Sequence, residues 1–179
     1  MRLVLCMLLV ACHGGPKTPD EAFQKLERAL AGGDGVLLYE LLDAGTRKSI
    51  ESAYGDQRLQ RTIIQAKYPE EEQARALQPL GAAAEADAAH YFAHACNDRR
   101  TYDQYRGRLG SVSGPIKQKA DGEKAMWVAR QDGMPFHFVK ESGGWAFSEL
   151  APEWALEKDR ANHAVKTVRE NAALYKKAE

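Results

Sequence analysis

From Thr18 to Leu30 the apolar residues fall at helical spacing: Ala22, Phe23, Leu26, Ala29 and Leu30 share one face, with charged residues between them. Thr18 is placed to cap this helix, Pro19 suits its first turn, Glu21 completes a capping-box pattern, and Gly32-Gly33 stop it. Asp34 restarts the chain into "GVLLYELLDAG", a short helix with Leu37, Leu38, Leu41 and Leu42 on a broad face. A third helix, introduced by Thr46, is predicted from about Arg47 to Lys67, with Ile50, Tyr54, Ile63 and Ile64 inward. Pro69 interrupts, "EEEQARAL" adds a turn or two, and Pro79 and Gly81 break the chain again. The alanine-rich "AAAEADAAHYFAHACN" that follows predicts helix on propensity.

After Tyr105 the periodicity changes. Three turn signals, Asp121-Gly122, Asp132-Gly133 and Gly143-Gly144, separate runs rich in Trp, Phe and Val, predicting four antiparallel strands near 107–119, 123–131, 134–141 and 144–150. Phe136 and Phe138 alternate with His137 and Val139, and Trp145 and Phe147 with Ala146 and Ser148. Trp127, Phe136, Trp145 and Phe147 are expected in the core. The fold class is therefore α+β: N-terminal helices packed on a curved four-stranded antiparallel sheet, then a long C-terminal helix from about Pro152. In that last helix Ala161, Val165, Val168, Ala172 and Tyr175 follow steps of four and three, a narrow seam suited to one groove. The groove is either one on the domain's own helices or one on an envelope partner protein.

Ahead of these elements, Leu3 to Ala11 is an apolar run of nine residues behind Arg2. It is far short of the roughly 20 needed to span a bilayer and has the form of a secretory signal peptide. Leu9-Val10-Ala11-Cys12 resembles the lipobox of bacterial lipoproteins. The resemblance implies cleavage before Cys12, lipidation there, and a mature protein held by several acyl chains. With His13 rather than Asp after the cysteine, it also implies the outer membrane, facing the periplasm. The expected organisation is signal 1–11, lipidated cysteine and Gly/Pro linker 12–17, domain 18–150 and terminal helix 151–179.

Cys6 leaves with the signal and Cys12 takes the lipid, so Cys96 has no partner for a disulfide. Cleavage removes one basic residue, Arg2, from 25 basic and 25 acidic side chains, leaving 24 and 25. A chain so balanced gives no electrostatic case for nucleic acid.

"TPDEAFQKLERALAGGDGVLLYELLDAGTRKS" and "DGMPFHFVKESGGWAFSEL" are similar to the opening helices and the last hairpin of bacterial domains of the nuclear transport factor 2-like family. That resemblance, over about Thr18 to Leu150, implies a cone in which helices close a curled sheet over a pocket. Family members include isomerases, dehydratases, small-molecule binders and non-catalytic domains.

Two sets of residues are candidates for chemistry. His137 as general base, with Tyr39 and Asp43, would furnish the polar groups of such a pocket. His90 and His94, four apart on a predicted helix with Cys96 just beyond, have spacing that suits zinc if a further ligand is supplied. Neither set forms a motif, and no cofactor is implied. The expectation is a non-catalytic, membrane-tethered domain that binds a partner protein or a small apolar ligand; the alternative is a small isomerase or hydrolase on the same fold.

Overall fold

The computed structural model describes residues 15–110, 119–128 and 135–178. Its architecture is α+β, mostly helical, with a long C-terminal helix.

Helix α1 (Pro19–Gly32) is capped by Thr18, whose Oγ1 accepts from the Glu21 N–H at 3.2 Å. The Glu21 carboxylate accepts instead from the Lys17 N–H at 2.7 Å, so the reciprocal bond of the box is displaced by one residue. Gly33 takes the left-handed conformation (φ 66°) that closes the helix, its N–H donating to Leu30 O and the next N–H to Ala29 O. Helix α2 (Gly35–Leu41) is capped by Asp34. Helix α3 (Ala44–Lys67) starts three residues earlier than predicted. Its cap is Asp43, whose carboxylate accepts from the Thr46 N–H at 2.9 Å and from the Thr46 hydroxyl; Thr46 lies inside the first turn.

Helix α4 (Glu70–Leu77) gives way to two 3-10 turns, Gln78–Leu80 and Ala82–Ala84. Helix α5 (Ala88–Asp98), capped by Asp87, therefore takes only the second half of the alanine-rich stretch.

Helix α6 (Thr101–Gly110) replaces the start of the strand predicted over 107–119. Two arginines hold it. Arg106 donates from Nε to Leu30 O and from Nη2 to Ala31 O, satisfying carbonyls at the end of α1, while Arg108 bonds Glu149 and Pro135 O at 2.7 and 2.6 Å.

The sheet is an antiparallel meander in the order β1-β2-β3-β4. Strands β2 (Lys124–Val128), β3 (Pro135–Glu141) and β4 (Gly144–Phe147) carry it, and β1 (Lys119–Asp121) adds three residues at the β2 edge. Ala125 opposes Phe138, and Phe138 opposes Phe147, so one face is apolar. Phe23 of α1 meets Phe136 and Phe138 edge-on at 6.0 and 6.4 Å, and Tyr105 of α6 meets Phe147 at 5.9 Å. Phe136, Trp145 and Phe147 are buried as expected, while the side chain of Trp127 falls outside the described residues.

Helix α7 (Ala151–Ala178) runs parallel to α3: Gln57 donates to Glu157, Gln60 to Ala161 O, and Tyr68 to Val168 O, in the same order along both helices. The seam read from Ala161 to Tyr175 faces this groove on the chain's own helices. Trp154, fully buried at the head of α7, joins the main core. A second, smaller core forms farther along, where Ile63, Ile64, Tyr68 and Leu80 meet Ala172.

Candidate functional site

With α1 and α6 on one face of the sheet, the other presents Lys124, Met126, His137, Val139 and Ser148 around an open recess of about 590 Å³. Strand alternation generates it: Phe136 and Phe138 turn inward, so His137 and Val139 turn outward. Met126 and Val139 are half-buried and supply the apolar floor, while His137 and Lys124 are exposed. Ser148 donates from its backbone N–H (3.0 Å) and its hydroxyl (3.3 Å) to His137 O, leaving the imidazole out of that contact. At the rim the Glu149 carboxylate receives Arg108 Nη1 at 2.7 Å, and the Arg108 guanidinium stacks 4.4 Å from the Phe136 ring centroid.

The three residues considered for acid–base chemistry have different employment. Tyr39 donates to Glu51 at 3.0 Å, and burial together with that carboxylate pushes its hydroxyl up to about 12, so it stays protonated. The Asp43 carboxylate caps α3, and the Asp43 N–H donates to Phe147 O at 3.0 Å. His137 stands on the outer face of the sheet, away from this helical junction.

His90, His94 and Cys96 also separate. His90 Nδ1 lies 2.9 Å from the Asp87 carboxylate, which raises the imidazole's pKa, and His94 lies between Glu85 (2.9 Å) and Asp98 (3.5 Å). Cys96 points the other way, into the core, at 1% exposure. Among the described residues no three His, Cys, Asp or Glu side chains are placed to hold a metal ion.

Burial raises the Cys96 thiol to about 12, against the opposing pull of Thr101. From an ordinary value near 9, that cuts the thiolate fraction at neutral pH by roughly a thousandfold. Maleimide should therefore leave the Cys96 peptide unlabelled in the native protein and modify it fully in denaturant, as read by mass spectrometry. Native labelling at the denatured rate would place the thiol at the surface.

The stretch from Gly15 to Lys17 is bound to the fold. The Trp145 N–H donates to Pro16 O at 2.8 Å, and the Gly15-Pro16 backbone lies so close to Gly144 (φ 135°) that a side chain there would collide with Pro16 O. Arg47 and Glu141 border the same place, with Ala44 donating to Glu141 at 2.8 Å. No spacing rule in the sequence announces this contact. Cys12 lies outside the described residues.

Comparison with protein-family models, with curated proteins and with solved structures finds no match to this chain.

Proposed function

We propose that the protein is a lipid-tethered lipoprotein of the bacterial envelope, on the outer membrane facing the periplasm, whose domain binds a partner protein without catalysis. The observation that carries this reading is the bond between Pro16 O and the Trp145 N–H: four residues after the lipobox cysteine the chain is held to the sheet. From Cys12 to Gly15 the chain reaches at most about 10 Å. Acylation at Cys12 would hold the β4 edge against the headgroups with no stalk between.

The recess on the sheet favours a partner protein over a small apolar ligand, because it is open where small-molecule sites are enclosed. The isomerase or hydrolase alternative draws no support from an arrangement in which Tyr39 bonds Glu51, Asp43 caps α3 and His137 stands exposed on the outer face of the sheet. The order of capped helix, Gly-Asp break, Leu-rich helix and antiparallel hairpins supports kinship with the nuclear transport factor 2-like family.

Palmitate labelling and mass spectrometry of the membrane fraction should find a lipid-modified amino terminus at Cys12. Cys12→Ser should be unlabelled and recovered away from membranes. A Cys12→Ser protein as firmly membrane-bound as the wild type would refute the tether.

A further inference from the structure

We propose that the flank of the α3–α7 pair left uncovered by α4 is a docking groove for an acidic amphipathic helix of the partner protein. The partner-binding reading above supplies the context for this proposal, but the groove is a separate feature at the opposite end of the molecule. It has a volume of about 520 Å³, with Ala66, Tyr68, Ala172 and Ala173 along its floor and Lys67, Arg169 and Lys176 on its rim.

No acidic residue lines it, and among the described residues none of the three cations is in an ion pair. The covered side of α7 differs: there Glu153 and Glu157 are bound by Arg99 at 3.0 and 2.8 Å, and Val168 and Tyr175 face α4. Lys67 in the last turn of α3 and Lys176 near the end of α7 complement the helix dipoles. Arg169 stands nine residues before Ala178, beyond the reach of that effect, so the dipoles do not account for the whole cluster.

The dimensions suit a helix. Arg169, Ala173 and Lys176 lie at i, i+4 and i+7, placing the two cations of α7 about 10 Å apart, two turns along the axis. Carboxylates two turns apart on an adjacent helix match that interval, and an alanine floor permits close approach of helix axes. The chain's own segments outside the described residues contain only Asp132 and Glu179 as acids, so they provide no acidic helix.

Position fits presentation to a partner. The Pro16 contact sits at the start of α3, beside Arg47, and the groove sits at its far end. The 24 residues of α3 separate the two by about 36 Å.

The test uses the full chain, purified in detergent, and a fluorescent synthetic peptide of three helical heptads with Glu on one face and Ala and Leu on the other. A counterpart carrying Lys in place of Glu is the control. The acidic peptide should bind, more weakly as salt rises, and Lys67→Glu/Arg169→Glu/Lys176→Glu should lower its affinity at least about tenfold in a protein that stays folded, its melting midpoint lowered only by the two reversed charges at the helix ends. Should the reversal unfold the protein, Lys67→Gln/Arg169→Gln/Lys176→Gln serves in its place, with loss of binding again expected.

Equal binding of both peptides, or binding indifferent to the substitutions, overturns the proposal. So does binding to phosphatidylglycerol vesicles but not to the peptide, which would assign the cations to a lipid surface. Self-association that the same substitutions abolish would assign the groove to a second copy. Membrane retention through Cys12, measured on the same variants, reports the tether independently of the groove.

Discussion

Trp154→Ala is expected to lower the melting midpoint by about 6–20 °C, the effect of removing about 3–5 kcal/mol from a domain of this size. Trp154 is 1% exposed, in the main core, where α7 packs on α5. Its ring lies 5.9 Å from Tyr91 and 5.4 Å from Phe92, and Arg99 caps it at 5.1 Å while binding Glu153 and Glu157 on the same helix. Truncation leaves a cavity that the rings of α5 cannot fill without abandoning their own contacts. It also removes the surface over which Arg99 lies. Trp154→Phe keeps much of the volume and should recover part of the loss. A Trp154→Ala midpoint within about 2 °C of wild type would mean that α7 is not held by this residue.

Deleting residues 159–179 should have an effect as large but different in kind. The smaller core consists of Ile63, Ile64, Tyr68 and Leu80 against Ala172, with no residue from the sheet. Each large side chain uncovered costs about 1.5–3 kcal/mol, and the Gln60–Ala161 and Tyr68–Val168 bonds go with the helix. The end of α3 and α4 should then lose hydrogen-exchange protection and expose apolar surface to dye. Helix α1 and strand β3, in the main core, should stay protected below a reduced midpoint. Full protection of residues 60–80 in the truncated chain would show that α4 and the 3-10 turns suffice to cover α3.

The seam of α7 could be read directly, because its steps of four and three are local and its groove is formed by one other long helix. Helix α1 was readable for the same reason: cap, apolar stripe and terminating glycine all lie within the segment. Helix α6 was not. The glycines of "RGRLGSVSG" favoured an extended reading, and what overrides them is distant: Arg106 bonds α1, and Arg108 bonds Glu149 and Pro135. Tyr102, Tyr105 and Leu109, spaced by three and four, were the available sign. Trp154 lies seven residues ahead of Ala161, outside the local seam, and its burial depends on Tyr91 and Phe92 of α5. The candidate triad was drawn from residue type alone. Residue type says nothing about prior commitments, and Asp43 was already spent on capping α3.

The contact between Pro16 and Trp145 also has a mechanical side. A load applied ahead of Gly15 does not arrive first at α1. It enters the edge of the sheet through one backbone hydrogen bond of 2.8 Å and the glycine contact beside it. If that bond parts, Gly15 and Pro16 are released as about 7 Å of slack up to Lys17, whose N–H is bonded to Glu21, while α1, with Ala22, Leu26 and Leu30 wholly buried, keeps its place. A pull at the amino-terminal end is thus taken up by a short extensible link before it strains the core.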